Sequence, residues 1–366
     1  MTRLEEICAI NMGQSPDSST YNEDGNGLPF FQGNADFGEI YPAVRMWCSE
    51  PTKIAREKDI LISVRAPIGA LNIANCECCI GRGLAALTIN EDICAQEYLW
   101  HALSGKVDEL NSKGTGSTFK AINKKTLSET EIPLPPIDEQ RKIAAILDKV
   151  SDLIAKRRQQ LDKLDEMAKA RFVEMFGDPQ NNEKNWKMRT FKEICTVRQG
   201  LQIPISKRLT HFEENCYEYI TVAYLHGAKD KEYIKNPKST VICTKDDVLM
   251  THTGNTGMVI TNVAGVFHNN FFLIDFDRDK YIKEFLVEYL NLDLIQTELK
   301  KRAGTSTIPD LNHSEFYKIA IYEPPMDLQN QFAAFVNQTE KSKTTISRSL
   351  EKLETLKKAL MQEYFG

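Results

Sequence analysis

Several short stretches carry residue types suited to metal, phosphate or covalent chemistry, and each lacks part of what that chemistry requires. "CECC" at Cys76–Cys79 contains a C-x-x-C pair, but a structural zinc takes four ligands, and only Cys94 and His101 follow within reach. "SGKV" at Ser104–Val107 has no glycine at the upstream spacing of a phosphate-wrapping loop. "EPPM" at Glu323–Met326 lacks the aromatic that would stack on a flipped base, and it opens a helix. The histidines are dispersed, so neither a metal pair nor a Ser-His-Asp set assembles from spacing. The expectation is cysteines buried in a strand-rich core and no bound metal.

A second group of residues suits recognition instead. Base edges are read by forked donors and acceptors, Arg for guanine and Asn or Gln for adenine. Phosphates are held by Lys, Arg, Ser, Thr and backbone amides. Polar loops supply such groups at matching places in both halves of the chain. The first half offers Gln14, Ser15, Gln32, Asn34, Arg65, Arg82, Ser117, Thr118 and Lys120. The second offers Arg198, Gln199, Gln202, His252, Thr253, Asn255, Asn269, Asn270, Thr305, Ser306 and Thr307. These are the candidate DNA-binding residues; the competing reading of each is a solvated turn. Gly69, Gly257, Asp59 and Asp247 are assigned to turn geometry. The basic run Lys156–Arg158 reads as a solvated helix face, with spacer phosphates as its alternative partner.

The elements that position these loops are written twice. "LEEICAINMG" at Leu4–Gly13 matches "FKEICTVRQG" at Phe191–Gly200, and "DILISVRAPIG" at Asp59–Gly69 matches "DVLMTHTGNTG" at Asp247–Gly257. "GSTFKAIN" at Gly116–Asn123 matches "TSTIPDLN" at Thr305–Asn312. From Pro135 and Pro324 the copies run without a gap to Gly177 and Gly366, with 14 identities in 43 positions. Such a unit is far longer than a solenoid repeat of roughly 20–50 residues. Short runs such as "DILISV", "LAALTI" and "YEYITVAYL", bounded by turn residues, predict strands. "AQEYLWHALSGKVDEL" and "IKEFLVEYLNLDLIQTELKKR" predict helices among them.

After each Pro-Pro pair the pattern becomes one long helix, with Asp138 or Asp327 placed to cap it. Apolar residues at Ile143, Leu147, Val150, Ile154, Leu161 and Leu164 follow a 3.5-residue rhythm, interrupted by Arg157. Ile346, Leu350, Leu353, Leu360 and Tyr364 continue that phase in the second copy. This is a coiled-coil seam, and each copy closes on a glycine stop. A helix of about 40 residues spans roughly 60 Å, more than its own domain can cover, so the siblings are expected to pair antiparallel. The fold class is therefore α+β: two pseudo-repeated mixed α/β bodies at 1–134 and 179–323, separated by two long antiparallel coiled-coil helices at 135–178 and 324–366.

Composition fits a soluble folded chain of more than one domain, with 366 residues, 42% hydrophobic and 27% charged. No run approaches the roughly 20 apolar residues of a membrane span, and nine scattered cysteines point to reduced thiols in a cytoplasm. Net charge is −5, with 12 basic against 18 acidic groups in residues 1–134 and 19 of each in residues 179–323. Any contact with DNA must therefore come from local patches.

The duplicated helix entrances "PLPPIDEQRKIA" and "YEPPMDLQNQFA", the "MGQSP" near the start and "GSTFKAI" before the first helix resemble the specificity subunit of type I restriction-modification systems. The resemblance covers the whole chain in order. It implies two target-recognition domains reading the halves of a split, asymmetric site in double-stranded DNA, with the helices as spacer and docking surface for two modification (methyltransferase) subunits. A restriction motor-nuclease subunit completes the complex. S-adenosylmethionine, ATP and Mg would then reside on partner subunits, and this chain would hold no cofactor and no catalytic residue. Two departures stand out: Leu328 where the first copy has Glu139, and "THTGNTG" in place of "RAPIG". The alternatives are a self-contained nuclease or methyltransferase with an unrecognised site, and a scaffold that uses the coiled coil only to oligomerise.

Overall fold

A computed structural model describes residues 1–116, 120–225, 227, 230–305 and 309–366. Ser117, Thr118, Ser306 and Thr307 lie outside the described residues. The chain divides into two compact units, Met1–Arg158 with Arg348–Gly366, and Gln159–Ser347.

In the first unit a four-stranded antiparallel sheet has the order Cys8–Met12, Leu84–Ile89, Ile60–Ser63, Leu71–Ile73. Successive side chains of a strand point to opposite faces. Ala85 and Leu87 thus join a core with the Gln96–Gly105 helix, while Leu84 and Ala86 join a second core with Phe31 and Ile80. Both faces being covered, "LAALTI" shows no polar alternation. A second sheet contains one parallel pair, Leu28–Phe31 beside Cys78–Ile80.

The second unit repeats this plan. Its sheet order is Cys195–Gln199, Phe271–Phe276, Val248–Thr251, Val259–Ile260. Phe272 and Ile274 face one core, Phe271 and Leu273 the other. Its parallel pair is Cys216–Ile220 beside Gly265–Phe267. Strand register fixes the equivalences between units. Phe31 pairs with Ile80 as Ile220 pairs with Phe267, and Leu84 pairs with Ser63 as Phe271 pairs with Thr251. Counting from these, Arg82 stands where Asn269 stands, and Arg65 where Thr253 stands.

The long helices run Ile137–Phe176 and Met326–Phe365, 40 residues each. Asp138 and Asp327 do not cap them: each helix begins one residue earlier, and the carboxylates sit exposed in its first turn, where they favour the dipole. The residue that fixes each entrance is the glutamine two places on. Gln140 is fully buried; its Oε1 accepts the Ala95 N–H at 3.0 Å, and its Nε2 donates to the Ile93 and Pro135 carbonyls at 2.9 and 2.8 Å. Gln329 does the same in the second unit, accepting from Ile282 N–H at 2.9 Å and donating to Lys280 and Pro324 at 2.8 and 2.9 Å. Leu328, at the place of Glu139, packs against the second core. Gly177, at φ +82°, ends the first long helix.

Within each unit the helix segments run antiparallel. In the first, Ile143, Leu147, Val150 and Ile154 are buried, and Arg158 Nη2 donates to Glu354 Oε1 at 2.7 Å. In the second, Lys343 pairs with Asp165 at 2.8 Å, and Phe172 and Phe176 pack edge-on against Phe332 at 5.3 and 5.5 Å. Among the described residues no helix is long and apolar enough to cross a membrane.

Candidate nucleic-acid interface

Two turns present the loops in each unit. After the first strand, the Gly13 N–H bonds Leu84 O at 2.9 Å and the Gln14 N–H bonds Ile80 O at 3.0 Å. A Cβ on Gly13 would lie 2.2 Å from the Gly81 carbonyl, and one on Gly200 2.3 Å from that of His268. Glycine alone lets these backbones cross, which explains the repeated "MG" and "QG". The second turn follows Ser63 or Thr251. Ser63 Oγ donates to Pro67 O at 2.6 Å and accepts the Ala70 N–H at 2.9 Å. The Thr251 hydroxyl donates to Asn255 O and accepts the Met258 N–H at 3.0 Å. "THTGNTG" and "RAPIG" are therefore one turn in two spellings, closed by the same hydroxyl. Gly69 and Gly257 adopt φ +89° and +94° there. Asp59 and Asp247 accept the N–H of Arg56 and Thr244 at 2.8 and 2.7 Å, as the turn reading requires.

In the first unit these turns open on a cleft of about 870 Å³ that gathers Ser15, Gln32, Asn34, Arg65 and Arg82. Gln14 is exposed beside Ser15, whose Oγ accepts the Arg82 N–H at 3.4 Å. Arg45 also lines the cleft; it sits in "AVRMW", a segment without turn or alternation signals, so pattern along the chain does not single it out. Tyr21 and Phe30, ring centroids 4.7 Å apart, form part of the wall. Asp36 is the cleft's carboxylate, and its Oδ2 is held by the Gln32 and Gly33 N–H groups at 2.7 and 3.3 Å. Arg45, Arg65 and Arg82 make no ion pair among the described residues and are exposed. Lys120 is exposed; its carbonyl accepts the Ala66 N–H at 3.1 Å, and the following Ala121 exchanges backbone bonds with Thr115 at 3.0 and 2.9 Å.

The equivalent cleft of the second unit, about 480 Å³, is wired differently. Of the candidates it contains Asn270. Its arginine, Arg208, is held by Glu232 at 2.9 and 3.3 Å and by the Ile203 carbonyl at 2.7 Å, and lies 5.0 Å over the Tyr219 ring. Burial, with the Arg208 charge second, holds His268 below its ordinary pKa. His252 is buried and stacked on Phe272 at 4.1 Å. Its Nε2 lies 2.6 Å from the Asn269 carbonyl and must donate to it, while Nδ1 meets Asp310 Oδ1 and Thr253 Oγ1, each at 3.0 Å. Thr253 also donates to Asp310 at 2.7 Å, and Gln199 Nε2 reaches the Asn269 carbonyl at 3.4 Å. This network ties the 253 turn to the 310 segment and holds the backbone of Asn269. Arg198 is half-buried and bonds the Thr240 carbonyl at 3.1 Å. Gln202, Asn255 and Thr305 are exposed.

Cys78 and Cys79 are buried in their strand, and burial pushes the Cys78 thiol up to about 12. Neither thiol is poised as a nucleophile or ligand. Among the described residues no group of three or more His, Cys, Asp or Glu is placed to hold a metal ion.

The sequence family described as the type I restriction modification DNA specificity domain matches residues 1–165 and again 183–357. A Methanocaldococcus jannaschii protein assigned as the MjaX type I restriction enzyme specificity subunit is 44% identical over 165 residues, covering 45% of this chain and 39% of the relative. The MjaIX specificity subunit of the same organism is 31% identical over 183 residues, covering 45% and 42%. The chain thus spans about two-fifths of the length of the curated relatives it matches. The crystal structure of a type I restriction-modification S subunit from M. genitalium superposes with a TM-score of 0.64 at 15% identity, covering 100% of this chain and 95% of that one. A structure described for complex assembly and conformational transition of the type I R-M system gives 0.60 at 18% identity, covering 100% and 96%.

Proposed function

The chain belongs to the type I restriction-modification DNA specificity family, and from that premise we propose that it reads a bipartite, asymmetric DNA site, each unit taking one half. The observation that carries this reading is the pair of equivalent clefts, placed alike by strand register and lined by different side chains. Equal folds with unequal linings suit unequal half-sites. We further assign residues 1–134 and 179–323 to target recognition and 135–178 and 324–366 to the spacer helices. Those helices would dock modification subunits that supply the methyl donor chemistry, with motor-nuclease subunits supplying ATP and Mg chemistry, in the cytoplasm. The chain itself acts without catalysis.

Single-molecule methylation sequencing of the host genome, with the gene present and deleted, tests this. A split adenine-methylated motif that disappears on deletion is expected. The purified chain, incubated with DNA, methyl donor and magnesium, should neither methylate nor cleave; turnover without partners would favour a self-contained enzyme. Sequence-independent or absent DNA binding by the assembled complex would favour a scaffold.

A further inference from the structure

Resting on that reading, we infer that the first unit's half-site contains a guanine read by Arg65 or Arg82, whereas the second unit's half-site is read without arginine at these two positions. The register makes the comparison residue by residue. Arg82 and Asn269 follow equivalent strands by the same count, and Arg65 and Thr253 each form the isolated bridge to the 121 or 310 segment. One pair of places thus carries two guanidinium forks in the first unit and none in the second.

The surroundings decide what those forks do. In the first unit the cleft carboxylate, Asp36, holds two backbone N–H groups on its Oδ2, and Arg65 and Arg82, both exposed in the cleft lining, have no anionic partner among the described residues. A guanidinium offers parallel donors that match guanine O6 and N7, which no other base presents together. In the second unit the cleft's one arginine is folded back on Glu232 and the Ile203 carbonyl. Asn270 lines that cleft, and its amide suits adenine, whereas the Thr253 hydroxyl is bonded to Asp310 at 2.7 Å. Lysine separates the two uses of an arginine: it keeps the point charge a phosphate wants and loses the fork a guanine wants.

The test uses the complex assembled with its modification subunits. Arg65→Lys and Arg82→Lys are compared with the unaltered chain by methylation sequencing and by DNA binding as a function of salt. Arg82→Asn, which installs the second unit's residue, is the third variant; both positions are exposed, and retention of the other half-site's bases reports that the chain is folded. The expected result is a loss of preference at one guanine of one half-site, on the order of tenfold or more, in at least one lysine variant, with the other half-site and the salt slope unchanged. A uniform loss of affinity with the motif intact would make the arginines phosphate anchors and overturn the inference. So would an unchanged motif in all variants, or the absence of any G·C pair from the half-site the first unit reads. If the unaltered complex modifies no split site at all, the functional reading falls first and takes this inference with it.

Discussion

Gln140 and Gln329 show how much one side chain decides here. Each amide is buried and makes three hydrogen bonds that join a long helix to its own body. Truncating such a group leaves backbone donors and acceptors without water or partner, at about 1–3 kcal/mol for each unsatisfied group. Gln140→Ala is therefore expected to lower the urea midpoint of unfolding clearly, and an unchanged midpoint would remove the glutamine latch. Glu288 is the opposite case, a carboxylate that costs stability. It is half-buried, and Asp165 and Lys169 face it from the first long helix, Glu340 and Lys343 from the second. Desolvation is the largest influence and raises its pKa above 4.5. Because the folded pKa is raised, the stability this group contributes is present below the unfolded value and lost as pH rises through the folded one. Glu288→Gln should raise the melting temperature at neutral pH and bring the two proteins together near pH 4; equal melting temperatures at pH 7 would contradict this.

At the scale of elements, strand crossings and turns position the candidate recognition loops more than propensity does. Gly13 and Gly200 let the end of the first strand pass over a neighbouring carbonyl at a distance no Cβ tolerates. Gly13→Ala must push those backbones apart, at a cost of about 1–3 kcal/mol, and it does so under Ser15 and Arg82. Calorimetry should show the loss of stability, and methylation sequencing a weakened preference confined to the first half-site. A variant as stable as the parent would show that the crossing yields easily. The hydroxyl-closed turn makes the related point that sequence divergence need not alter geometry. Ser63 and Thr251 close dissimilar loops with the same pair of bonds, so those loops are free to vary in the groups they present.

At the scale of the molecule, both long helices pass from one compact unit into the other. On the proposed reading, that continuity makes helix length the variable that should set the gap between half-sites. Adding one heptad to each lengthens it by about 10 Å, roughly three base pairs of duplex at about 3.4 Å each. The expected outcome is a motif with both halves intact and a spacer longer by about three base pairs, read by single-molecule methylation sequencing. Changed half-site bases with an unchanged spacer would refute that role for the helices.

Much of this was legible in the chain alone. Two copies, their strand runs, their long amphipathic helices and the loops rich in Arg, Asn and Gln follow from periodicity and repetition, because local pattern records burial and turn chemistry directly. Sequence also separated Asp59 and Asp247, as turn residues, from the candidates for recognition. What it left open was which candidates share a surface. Arg65, Arg82, Gln32 and Asn34 meet in one cleft only because a parallel strand pair brings residues about 50 apart side by side. Arg45 joined them from a segment with no local signal. His252, similar in type to its neighbours in the loop, was drawn inward by the ring of Phe272 and by the Asp310 carboxylate, 58 positions away. Gln140 and Gln329 stand among the polar residues of a first helical turn, and only the folded body supplies the partners they hold. Pattern along a chain determines which elements form and which faces are apolar; only long-range packing decides which polar groups are satisfied inside and which remain free to bind.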